Sequence, residues 1–299
     1  MKLVMTLLVR NEEDILRENL DFHLASGVDE VILMDNLSTD ATAEIAHEYE
    51  RGGNVHYVHQ PKDNHDQGAW VTELARQASR DLKADWVINC DADEFWWPHV
   101  GTLKDALGSL PDNVIVASAQ RTNFVARVDD GRPFWRRMDV RWLASVNPLG
   151  RPLLGKVAHR ALPDVVVSPG NHLVSAPGGV GTPFSAPITV LHFPIRTREQ
   201  FFNKVVQMGA AFERNTELDH SVGAAQRHLY RQYLDGELDR MYDRELLSDE
   251  QIRDGLDSHV LVRDDRLIRA LEAIRHPSPG LPERHGRVSD PTSPVDGQE

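Results

Sequence analysis

Two aspartates one residue apart close an apolar run: Trp86-Val87-Ile88-Asn89-Cys90 leads directly into Asp91-Ala92-Asp93. In an extended strand residues i and i+2 point the same way, so the two carboxylates share a face. Such a pair of hard oxygen donors suits Mg2+ or Mn2+, which also binds diphosphate oxygens and neutralises charge developing on a diphosphate leaving group. An Asp-x-Asp in an ordinary solvated turn does nothing of the kind, so its meaning depends on where the fold puts it. Four basic residues, Arg10, Lys156, Arg196 and Lys204, are candidates to hold phosphate, arginine through a forked donor pair and lysine as a compact charge. Arg136, Arg137, Arg141 and Arg151 read as a solvated face, with an anionic acceptor as the alternative. Phe95, Trp96 and Trp97 follow the acids and either pack beneath that loop or offer a flat apolar face to a sugar ring, core packing being the simpler reading.

The elements that must position these groups show in the first ninety residues. Leu3 to Val9 forms an unbroken apolar strand pattern, and Ile15, Leu16, Leu20 and Leu24 then recur at helical spacing, with Gly27 placed to end the helix. Val31 to Met34 predicts a second strand, and Ser38, Thr39 and Asp40 offer N-caps for a helix running to about Tyr49. Val55 to Val58 predicts a third strand, Trp70, Leu74, Ala78 and Leu82 a third helix, and Trp86 to Asn89 a fourth strand. Strands alternating with amphipathic helices imply parallel βαβ units, whose ligands bind along the carboxyl edge of the sheet. Residues 10–12, 35–40, 60–67 and 91–94 therefore converge on one edge, and all four segments are polar. From 111 to 195 short runs such as Val114-Ile115-Val116, Val165-Val166-Val167 and Ile188 to Leu191 read as further strands separated by long loops, with His159 and His172 in loop-like segments. Residues 197 to 275 read as mostly helical, opening on Phe201, Phe202, Val205, Val206 and Met208.

Several spaced motifs in this order resemble the inverting family 2 glycosyltransferases of GT-A fold. They are Val9-Arg10-Asn11-Glu12, then Asp35-Asn36-x-Ser38-x-Asp40-x-Thr42, then Asp91-Ala92-Asp93-Glu94-Phe95. Leu191-His192-Phe193-Pro194-Ile195-Arg196, Glu199-Gln200-Phe201, Lys204, Lys156 and Gly170-Asn171-His172 extend the likeness over roughly residues 1–210. The resemblance implies an α/β, Rossmann-like GT-A domain and a metal-dependent transfer of sugar from a nucleoside-diphosphate donor to a saccharide, lipid-linked or other hydroxyl acceptor. It implies that Val9, Arg10 and Glu12 border the nucleotide and that Asp35 contacts base or ribose. Asp91 would bond the ribose or the metal's water shell, with Asp93 a direct ligand and His192 a third protein ligand of Mn2+ or Mg2+. An inverting displacement also needs a base. Glu94 and Asp139 are the candidates, with Asp129 and Asp130 behind them, and no acidic motif singles one out.

Composition narrows the classes. The chain has 33 Lys+Arg against 46 Asp+Glu, a net charge of −13, which argues against a generic nucleic-acid binder. Its one cysteine, Cys90, allows no intrachain disulfide, and no apolar run is long enough to span a bilayer, so a cytoplasmic protein is expected. The first glycine is Gly27, so no Gly-rich phosphate loop follows the first strand, which counts against a sugar nucleotidyltransferase and an NAD-dependent oxidoreductase. A non-catalytic nucleotide-sugar or glycan-binding module is the remaining alternative. The expected organisation is a catalytic domain over 1–210, a helical extension over 211–276 and a disordered tail over 277–299, with the helices between about 197 and 275 able to form a homodimer face.

Overall fold

The computed structural model describes residues 1–219 and 221–276; the expected tail over 277–299 lies outside them. β1 (Leu3–Val9), β2 (Glu30–Asp35), β3 (Val55–His59) and β4 (Trp86–Asp91) are parallel neighbours in the order β3-β2-β1-β4. α1 (Leu16–Ala25), α2 (Thr42–Arg51) and α3 (Gln67–Arg80) make the crossovers. Side chains alternate between two covered faces, which is why the strands read as unbroken apolar runs. Leu3, Met5, Leu7, Leu33, Trp86 and Ile88 join the larger core, while Val4, Ile32 and Val87 meet Trp70, Val71, Leu74 and Ala78 of α3 on the other face.

The sheet continues with β8 (Lys156–Arg160), β6 (Val116–Asn123), β11 (Phe184–His192) and β5 (Glu94–Pro98), eight strands in all. β8 runs antiparallel to β4 and β6, and β5 antiparallel to β11, so both begin at the edge where the parallel strands end. Only Ala92 and Asp93 separate β4 from β5, yet three strands stand between them in the sheet. Four strand spacings would place them about 19 Å apart if the sheet were flat, whereas three residue steps reach at most about 11 Å. The second half of the sheet therefore curls back over α1, where Phe22 meets Phe95 edge-on.

The remaining elements clothe this sheet. α4 (Leu103–Gly108) starts on a capping box made by Thr102 and Asp105. α5 (Phe134–Arg137) leads into β7 (Val140–Trp142), which pairs with β12 (Leu261–Arg263), and β9 (Val166–Val167) pairs with β10 (Val174–Ser175). α6 (Arg198–Arg214) contains the expected domain boundary at 210 and is followed by α7 (Ala224–Leu234), α8 (Leu238–Glu245) and α9 (Asp249–Asp257). Gly209 lets α6 and α7 approach, since a Cβ there would fall 2.2 Å from the Tyr230 ring. α10 (Arg266–Arg275) returns to the main core through Leu267 and Leu271. Among the described residues no helix is long and apolar enough to cross a membrane.

Candidate active site at the carboxyl edge of the sheet

The loops after β1 and β2 interlock. Asn11 and Leu37 both take left-handed backbone with φ of 53° and 61°, an uncommon conformation for residues other than glycine. The Asn11 amide donates to Ser38 Oγ, the Thr39 amide to Asn11 Oδ1, and the Glu12 amide to Thr42 Oγ1. Asp35 is buried beneath them and accepts from the Ser38 amide and hydroxyl on Oδ1 and from the Tyr57 hydroxyl on Oδ2. Asn36 donates to the carbonyls of Gln60 and Lys62, tying in the loop after β3. Arg10 pairs with Asp63 at 2.6 Å, and Asp63 pairs in turn with Arg214 of α6.

The acidic turn between β4 and β5 is held from below by α1. Asn19, wholly buried, donates through its amide nitrogen to the carbonyls of Ala92 and Glu94 at 2.9 and 2.8 Å. One turn on, His23 accepts from the Trp96 amide through Nε2 and donates through Nδ1 to the Asn19 carbonyl. Phe95 and Trp96 are fully buried, so the aromatic run packs in the core beneath the turn.

Two chains of charge leave this turn. Asp91 meets Lys156 on one oxygen and the side-chain amides of Gln67 and Asn171 on the other. Lys156 also lies 3.0 Å from Glu94, whose carboxylate meets Arg121 at 3.1 Å. Burial opposes the charge on Asp91, but Lys156 outweighs it and holds that carboxyl below its usual range. Asp93 is the second branch: Lys204 Nζ is 2.6 Å and His192 Nε2 3.5 Å from its Oδ2. Burial again opposes ionisation, yet Lys204 and His192 bring Asp93 well below the ordinary carboxylate value. The His192 imidazole is pushed down by burial, and its Nδ1 is 2.6 Å from Asn123 Oδ1. Lys204 is also 3.6 Å from Glu12, and Glu12 pairs with Arg196.

Of the predicted site residues, Val9, Arg10, Glu12, Asp35, Asp91, Asp93, Glu94, Lys156, His192 and Arg196 lie at strand ends or in the loops beside them along this edge, and Lys204 reaches it from within α6. Arg196 is 1% exposed and donates to Glu12, to both oxygens of Asp14 and to the Phe193 carbonyl, so its guanidinium clamps the Glu12 loop to the start of α6. His159, expected in a loop-like segment, is buried in β8 together with Lys156. Asp139 lies instead at the β7–β12 pair, where it meets Arg263. Arg137 and Arg141 are tied to the Arg196 carbonyl and to Asp264. Asn19 and His23 escaped the sequence reading, although two polar residues at i and i+4 on the apolar stripe of α1 were a signal.

The residues fit a divalent ion in part. Asp93 and His192 supply a carboxylate and a neutral imidazole 3.5 Å apart, as two ligands of one ion would be. Among the described residues no three acidic, histidine or cysteine side chains converge, and the Asp91 carboxylate is engaged by Lys156, Gln67 and Asn171. Asp93 and His192 are thus the two residues that would hold such an ion, which would supply positive charge at this edge.

A family model described as glycosyl transferase family 2 matches residues 7–159, just over half of the 299-residue chain. The chain belongs to that family, and its mainly parallel, curled sheet flanked by helices is the GT-A arrangement. TarS from S. aureus in complex with UDP-GlcNAc is 16% identical over 78% of this chain and 72% of that one, with a TM-score of 0.40. Glucosyl-3-phosphoglycerate synthase from Mycobacterium tuberculosis, in complex with Mn2+, UDP and phosphoglyceric acid, is 18% identical over 54% of this chain and 56% of its own, with a TM-score of 0.33. No curated protein matches.

Proposed function

We propose that this family 2 chain transfers a sugar, with inversion, from a nucleoside-diphosphate sugar to a hydroxyl acceptor in a cytoplasmic setting. The observation that carries the reading is the Asp93–His192 pair at the carboxyl edge, flanked by Lys204. When bound there, Mn2+ or Mg2+ supplies positive charge to the departing diphosphate. Val9, Arg10, Glu12 and the 35–40 loop border the nucleotide, and Asp35 holds that loop through Ser38. The acceptor oxygen bonds to the anomeric carbon as the bond from that carbon to the phosphate oxygen breaks, its electron pair leaving with the diphosphate and the hydroxyl proton passing to a base. Glu94, capped by Lys156 and Arg121, serves in this reading to fix Lys156 beneath Asp91. Arg196 acts through Glu12 and Asp14 as a positioning residue.

Melting curves with UDP, GDP and dTDP, with and without Mn2+, test this directly. A ligand at ~100 times its Kd stabilises the fold by about 2.7 kcal/mol, so one nucleotide should raise the melting temperature, more so with Mn2+. Asp93→Asn should remove the metal's contribution and slow hydrolysis of the matching nucleotide-sugar at least ~100-fold. If neither Mn2+ nor Asp93→Asn alters donor binding or turnover, the catalytic reading falls.

A further inference from the structure

Both aspartates of the acidic turn carry a lysine, but the two pairs differ in access. Lys156 is 1% exposed and wedged between Asp91 and Glu94. Lys204 reaches Asp93 from α6 with its side chain 31% exposed, while the Asp93 and Glu12 carboxylates it touches are 3% and 9% exposed. Asp93 Oδ2, the oxygen shared with His192, is therefore already the acceptor of a charge-assisted hydrogen bond from Lys204 at 2.6 Å. A buried carboxylate needs such a partner when nothing else neutralises it.

Resting on the donor-site reading above, we propose that Lys204 is a resident counter-ion that competes with the divalent ion for Asp93 and yields only when a nucleoside diphosphate offers its ammonium another anion. A dication approaching Asp93 while Lys204 remains puts like charges around one carboxylate, which weakens metal binding to the nucleotide-free protein. Lys204 can swing away because about a third of its side chain is open to solvent, 31% against 1% for Lys156. Diphosphate oxygens supply the partner that Lys204 loses, so nucleotide and metal strengthen each other's binding by more than their direct contact. Charge is conserved throughout: the ammonium passes from carboxylate to phosphate as the ion takes its place.

Calorimetric titration of Mn2+ into wild type, Lys204→Met and Lys204→Arg, each with and without the diphosphate that gives the largest melting shift, tests the exchange. Methionine keeps the length and helix propensity of the lysine stem, so α6 should persist. Lys204→Met should bind Mn2+ alone at least ~10-fold more tightly than wild type, and the gain in Mn2+ affinity produced by the diphosphate should shrink by a similar factor. Lys204→Arg, which keeps the charge, should stay near wild type. Should Lys204→Met bind Mn2+ alone no more tightly while wild type still binds Mn2+ with the diphosphate, the exchange is wrong and the donor site stands. If wild type binds no diphosphate at all, both fall together.

Discussion

His23 and His159 are wholly buried, and burial lowers each imidazole from 6.5 to about 4. The unfolded chain takes up these protons near pH 6.5 while the native protein resists until about pH 4. Stability from this source is therefore complete above pH 6.5 and lost as pH falls toward 4. At about 1.4 kcal/mol per pH unit for each mismatched proton, the pair gives a slope of up to about 3 kcal/mol per pH unit. Glu18 and Asp21, pushed up by burial, pull the other way and soften the slope toward its acid end. Urea midpoints between pH 7 and 4.5 should fall steeply for wild type and less steeply for His23→Gln; equal slopes in the two would assign the effect elsewhere. Asp91 and Asp93 stood out in the sequence because paired carboxylates are unusual at the end of an apolar strand, whereas His192 became a candidate through the family resemblance. It could not see that Asp91 would be taken by Lys156, since a contact between residues 65 apart depends on β8 lying beside β4.

α1 is both a crossover and the floor of the acidic turn, and α10 presses on it from outside. Leu271 is fully buried in the shared core, and Arg275 of α10 meets Glu18 of α1. Leu271→Ala should cost about 2–5 kcal/mol in chemical denaturation. It should also speed amide exchange at Trp96, whose N–H is held by His23 of α1. Normal exchange at Trp96 in a clearly destabilised variant would mean that α10 does not support the turn. The parallel strands and their helices were readable because both faces are apolar and the periods are clean. β8 was not, because Lys156 and His159 break its apolar pattern with polar groups whose burial only the folded partners allow. β12 was hidden for another reason: three residues pairing with three give no periodicity to find.

At the level of the entire chain, the sequence order of strands says little about their spatial order beyond β4. The class of the fold followed from alternation, but the place of β5 depends on β11, whose first residue is 86 positions beyond the end of β5 (184 − 98). A chain ending at residue 183 lacks β11 and leaves the strand from Glu94 to Pro98, with Phe95, Trp96 and Trp97, without its sheet partner. Such a chain should aggregate and show no native aromatic circular dichroism. A soluble, cooperatively melting fragment of this length would show that β5 is placed without β11.

The two-residue link between β4 and β5 has a consequence for synthesis on the ribosome. At roughly 5–20 residues per second, the aromatic strand waits on the order of 4 to 17 s for its partner to emerge. Throughout that interval the newborn polypeptide displays Phe95 and two indoles without their sheet partner, a natural target for chaperones, and Asp93 cannot meet His192 until translation has passed that residue.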